Sequence, residues 1–105
     1  VPWPCSRKII ASGMEDSLRV VYPNECDFPA ETWTTVPGEG AGGAESVIDE
    51  VHDRIDFVYH AGDDIRPVAA EVVGEDHKHS NPVVVPYPSD HRAVVVRFQL
   101  DLALN

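Results

Sequence analysis

Two short stretches carry side chains that can do chemistry together. The first, Asp-Arg-Ile-Asp-Phe-Val-Tyr at residues 53–59, sets Asp56 inside an otherwise apolar and aromatic extended run. Aspartate is disfavoured in strands, and a carboxylate lodged in a sheet needs partners that offset its desolvation. The second, Tyr-Pro-Ser-Asp-His at residues 87–91, is a proline-stiffened loop that delivers Asp90 and His91 to the mouth of the last apolar run. Successive strand residues point to opposite faces, so the loop has to re-aim Asp90 or His91 if the two act together. A carboxylate accepting from one imidazole nitrogen fixes the tautomer, raises the basicity and leaves the other nitrogen for a substrate. Asp56 is the natural candidate for that orienting role, provided its strand lies beside the last one. The bland alternatives are an aspartate bonded to Arg54 or a backbone amide, a turn carboxylate at Asp90 and a surface histidine at His91.

The elements that position these residues run helices first and strands later. Ser6 reads as the N-cap of a short helix through Ala11, stopped by Gly13. Met14, Leu18 and Val21 fall at i, i+4, i+7 and predict a second helix over residues 14–22, ended by Pro23. Residues 32–36, β-branched and aromatic, predict a short strand, and the glycine-rich residues 37–43 a flexible loop; residues 44–52 read as helix or extended loop. Residues 54–59 alternate as a strand with Ile55, Phe57 and Tyr59 on one face, followed by a turn at residues 61–64. A strand over residues 65–73 confines Pro67 to its early part or to an edge. Residues 75–82 are polar and loop-like. Residues 92–102 form the last strand, apolar on both faces near its start and so expected in the interior of a layered structure. The order fits α+β with a largely antiparallel sheet and no boundary between two domains.

Composition limits the partners. The 105 residues hold 8 basic and 18 acidic side chains, a formal charge of −10. Nonspecific nucleic-acid affinity comes mostly from Lys and Arg meeting phosphates, so strong nucleic-acid binding by this segment is not expected. No apolar run approaches ~20 residues, which excludes a helical membrane span. Cys5 and Cys26 read as free thiols, with a single bridge as the alternative. The chain opens Val-Pro-Trp-Pro with no initiator Met, which reads like the interior of a longer protein.

Taken in order, Asp-Arg-Ile-Asp-Phe-Val-Tyr and, about thirty residues later, Ser-Asp-His-Arg-Ala-Val-Val resemble the C-terminal end of the endonuclease/exonuclease/phosphatase superfamily, the DNase I-like hydrolases. The resemblance covers nearly the whole chain and is strongest at residues 53–59 and 89–98. It implies the C-terminal part of a four-layer α/β sandwich, with residues 1–105 as the C-terminal portion of the domain. It also implies a metal-dependent phosphoric-ester hydrolase in which His91 contacts the scissile phosphate and Asp56 orients it. Asp90 would then lie at the divalent-metal site as a ligand or one step removed, Ser89 would shape the turn, and Trp33 is a candidate substrate-pocket residue. Mg²⁺ or Mn²⁺ is the implied cofactor, activating and neutralising the phosphate while water attacks in line.

The family's upstream asparagine, its metal-binding glutamate and its Gly-Asp-x-Asn motif do not occur in these 105 residues. Gly62-Asp63 is followed by Asp64-Ile65, so isoleucine stands where asparagine is required. The main metal ligands are therefore expected upstream of Val1. The expected partners are a phosphoester substrate, the missing N-terminal part of the domain and, for the segment alone, a second copy paired through an exposed sheet. Hydrolytic activity is not expected of the segment by itself. The acidic charge leans the substrate toward a small phosphoester or a lipid headgroup. The alternative is a non-catalytic binding or structural module on the same fold. Outside the motifs, His77 and His79 beside Glu75 and Asp76 read as a solvated loop, and Asp49, Glu50, His52 and Asp53 as a solvated charge run. For Trp33, core packing is the alternative to a pocket role.

Overall fold

Proline at the first helical position is pre-organised for a helix and loses no bond there, and this sets the first element. In the computed structural model, which describes residues 3–35 and 52–102, helix α1 spans Pro4–Ala11 with Trp3, not Ser6, at its N-cap. Ser6 instead accepts from the Tyr59 hydroxyl at 3.0 Å, pinning the helix to the 50s segment. The expected second helix is cut to α2, Ser17–Val21, because Glu15–Asp16 goes into a strand, β1. Asp16 caps α2 through the backbone N–H of Arg19. It also takes both terminal nitrogens of Arg54, at 2.5 and 2.6 Å. Arg54 is thereby committed to Asp16 and is not the partner of Asp56.

Strand β1 pairs antiparallel with β2, Tyr59–His60. Of the expected strand over residues 54–59 only Tyr59 joins a ladder, so the rest is extended chain without one. Ile55, Phe57 and Tyr59 do share a face, lining an apolar groove with Trp3, Cys5 and Ile9. The buried Ser17 hydroxyl and His60 Nδ1 meet at 2.8 Å and join α2 to β2.

The larger pairing is β3, Ile65–Val73, with β4, Ala93–Leu100, antiparallel and with an irregularity between Pro67 and Ala69. A bulge is where proline is tolerated, since it cannot donate to the ladder. Ala70 and Val72 of β3 and Leu18 of α2 form the buried core, with Ala30 and flanking Val94, Val96, Tyr22 and Phe28. Fully burying a side chain such as Leu18 or Val72 contributes about 1.5–3 kcal/mol. The expectation that β4 is interior is corrected: its residues are exposed or half-buried, with Val95 at 49% and Leu100 at 58% exposure. The reason is that β3 is its single ladder partner among the described residues. The architecture is α+β, with two antiparallel two-stranded sheets among the described residues.

Arg19 ties the loop after α2 by donating to the carbonyls of Tyr22, Phe28 and Pro29. Cys5 and Cys26 are free and exposed. No helix among the described residues is long and apolar enough to cross a membrane. The expectations for residues 36–51, the glycine-rich loop and the acidic Asp49 and Glu50 included, lie outside the described residues.

Candidate active site

The β-branched stretch at residues 32–35 does not extend into a ladder strand among the described residues. It forms a strap with one bridge on each side, Trp33 opposite Asp53 and Trp33 opposite His91. On one edge the amides of Thr32 and Trp33 donate to the Asp53 carbonyl at 3.0 Å, and the Asp53 amide donates back to the Trp33 carbonyl at 3.1 Å. On the other, the Arg92 amide donates to the Thr32 carbonyl at 2.7 Å and the Thr35 amide to the Asp90 carbonyl at 3.0 Å. The Asp56 segment is therefore not directly beside β4, as the sequence reading required; the strap lies between them. Thr32, fully buried, completes the frame by accepting from the amides of Ile55 and Asp56 at 3.1 Å each.

Across this frame His91 Nδ1 lies 2.7 Å from Asp56 Oδ2. An ionised carboxylate only accepts, so Nδ1 carries the proton and Nε2 is left free to act on something else. The two side chains are 40% and 41% exposed, which leaves a ligand room to reach them. The hydrogen bond to Asp56 holds His91 above the ordinary imidazole value; desolvation opposes this, and the charges of Asp56 and Asp90 add to it. Ser89 shapes the turn as expected. Its hydroxyl accepts from the His91 amide at 3.1 Å and its carbonyl from the Thr35 hydroxyl at 2.5 Å. The Trp33 ring stands edge-on to the imidazole, centroids 5.1 Å apart at 67°, so Trp33 is a wall of this site. The exposed Asp90 side chain makes no hydrogen bond among the described residues and reaches His91 through its charge alone.

Behind the pair, on the opposite side of the chain just before β4, lies an assembly the sequence reading missed. The Arg92 side chain is fully buried and makes four hydrogen bonds of 2.7–2.8 Å: two to the Glu75 carboxylate and one each to the carbonyls of Glu31 and Thr34. The available signal was alternation, since the residue after an outward His91 must point inward and an inward arginine demands acceptors. Glu75 answers it from a stretch that reads as a solvated loop.

Gly74 makes room for this side chain. A Cβ there would lie 2.9 Å from Arg92 Cγ and 2.8 Å from Ser80 Oγ. Gly74→Ala is therefore expected to destabilise by about 1–3 kcal/mol, the usual cost of overpacking, read as a lower urea midpoint. A midpoint equal to wild type would show that the guanidinium can shift.

Burial pushes the Glu75 carboxyl up, but its hydrogen bonds with Arg92 and the attraction of that charge more than offset this and hold it below its ordinary value of 4.5. A depressed folded value contributes stability that is present above 4.5 and lost as pH falls through the folded value. Glu75→Gln is expected to flatten the acid limb of the stability curve, measured by urea unfolding from neutral pH downward. An unchanged limb would assign acid sensitivity elsewhere.

Hard divalent cations take six or more oxygen ligands or several waters with carboxylates. Asp90 offers one carboxylate and Asp56 is committed to His91, so these residues do not make a Mg²⁺ or Mn²⁺ site on their own. Glu75, Asp76 and His79 bring ligand atoms within 4.8 Å of one another, and the His52 ring stacks on His79 at 4.6 Å. Both Glu75 oxygens, however, face the Arg92 guanidinium, whose charge repels a cation. His77 is exposed and not part of the group.

No family model matches the chain, and no solved structure matches it. The chain is similar to uncharacterized protein F14F9.5 of Caenorhabditis elegans, 31% identical over 100 residues; the aligned part is 90% of this chain and 30% of that protein. The chain thus spans about 30% of the length of the curated relative it matches.

Proposed function

We propose that this chain is the C-terminal segment of a metal-dependent phosphoric-ester hydrolase of the endonuclease/exonuclease/phosphatase type, with the four-layer sandwich completed by residues outside it. The observation that carries this reading is the 2.7 Å contact between His91 Nδ1 and Asp56 Oδ2, joining two motifs far apart in sequence. Asp56 holds the imidazole in one tautomer and favours its charged form, so Nε2 can hold a proton against a phosphoryl oxygen or pass one. Trp33 limits where a substrate can lie against the ring. Asp90 adds negative charge beside His91. A divalent cation, held mainly by residues upstream of Val1, would neutralise phosphate charge and activate water. The net charge of −10 favours a small phosphoester or lipid headgroup over a nucleic acid.

The test is turnover of an activated phosphodiester such as bis(4-nitrophenyl) phosphate by the full-length protein with Mg²⁺ or Mn²⁺. Metal-dependent turnover that collapses in His91→Ala supports the reading, and none is expected from residues 1–105 alone. Absence of turnover by the full-length protein on phosphomonoesters and phosphodiesters alike would leave the non-catalytic module. The β4 face that turns Val95 away from the core, where Val94 and Val96 pack from the other side, is where the rest of the domain, or a second copy of the isolated segment, would pack. Solution scattering of the isolated segment is expected to show a dimer; a monodisperse monomer would count against that packing.

A further inference from the structure

We infer that Arg92 is a positioning residue for the His91–Asp56 pair, acting through the strap at residues 32–35. Both members of the pair are referenced to this strap. His91 is joined to it by the bridge at Trp33 and by the amide of the next residue, Arg92, on the Thr32 carbonyl. Asp56 is joined to it by its own amide on the Thr32 hydroxyl. The guanidinium holds two carbonyls, Glu31 just before the strap and Thr34 within it, which flank the Thr32–Trp33 step. The Glu75 carboxylate takes Nε and one terminal nitrogen, fixing the plane of the fork. A planar fork with several donors spans such divergent acceptors, whereas an ammonium is a point charge on a flexible stem. Displacing the fork therefore displaces the strap, and with it the Thr32 hydroxyl and the Asp56 backbone. A shift of a few tenths of an ångström there lengthens a 2.7 Å contact directly.

This inference rests on the reading of His91 and Asp56 as a working pair, but it is measured without turnover. The test is ¹⁵N and low-field ¹H NMR of the His91 ring, at a pH where the imidazole is neutral. Wild type is expected to show the Nδ1–H tautomer with an exchange-protected low-field proton. Arg92→Lys and Thr32→Val are expected to lose that proton signal and return the ring to the free-imidazole tautomer mixture, while Thr32→Ser, which keeps the hydroxyl, retains the wild-type signature. A folded Arg92→Lys protein with the wild-type signature would overturn the inference, as would a wild-type chain that lacks it. If Arg92→Lys does not fold, the Thr32 pair decides: a signature kept by Thr32→Val, or unfolding of Thr32→Val, would show that the strap supports the domain and not the pair. A wild-type signature in a full-length protein without phosphoester turnover would sink the hydrolase reading and leave this one standing.

Discussion

Arg92→Met is expected to lower the unfolding free energy by about 3–5 kcal/mol, the range for breaking a buried ion pair by removing one partner. Three losses add up. The Glu75 carboxylate, 22% exposed, loses its counter-charge. The Glu31 and Thr34 carbonyls each lose a 2.8 Å donor; a hydrogen bond from a charged donor contributes about 1.5–3 kcal/mol. Glu75 can recover some hydration, so the lower end of the range is the better expectation. For a domain of this size that is a fall of about 12 °C or more in Tm. Urea unfolding at neutral pH measures it, and the paired variant R92M/E75L is expected to recover a large part, since removing both charges leaves neither uncompensated. A single variant within about 0.5 kcal/mol of wild type, the scale of ordinary surface changes, would mean that the ion pair contributes nothing net.

The second large effect is on the phosphoester turnover proposed for the full-length protein. His91→Ala removes the group proposed to hold or transfer a proton, and positioned acid–base groups contribute about 10²–10⁴-fold. Asp56→Asn keeps the size of the orienting side chain but not its charge, so the ring is held in the right tautomer less firmly and the charged form loses its counter-ion. The expected loss is again about 10²-fold or more, in kcat rather than KM, because Asp56 acts through the imidazole and not on bound substrate. The double variant is expected to be little worse than His91→Ala, since residues acting as a unit are not additive. Steady-state kinetics of the three variants decides it. A His91→Ala protein within about threefold of wild-type turnover would remove His91 from the proposed chemistry.

Local chemistry made several elements legible. β3 was readable at its observed bounds, Ile65–Val73, from apolar content between two turn-rich segments, and Pro67 duly stands next to an irregularity. The shared face of Ile55, Phe57 and Tyr59 followed from alternation alone. Readings failed where a distant partner competed with local preference. Ser6 is a good N-cap residue, but Pro4 starts the helix earlier and Tyr59 claims the hydroxyl. Met14 has helical spacing with Leu18 and Val21, yet Glu15 and Asp16 find strand partners in His60 and Tyr59. The 50s run alternates like a strand, but the Thr32 hydroxyl, and not a ladder, satisfies the amides of Ile55 and Asp56.

The candidate site divides in the same way. An aspartate in an apolar run needs partners, which was enough to nominate Asp56; His91 was nominated by its place at the mouth of the last apolar run and by the resemblance of the Ser-Asp-His stretch. Their separation of 2.7 Å, the strap that stands between their segments, and the Arg92–Glu75 grip behind them were decided by tertiary structure. The physical reason is range. Propensity and periodicity act over a few residues, whereas the strap meets the loop at residues 89–92 across more than fifty positions of chain. Such a contact forms only after the intervening segments have been ordered, and no local preference encodes it.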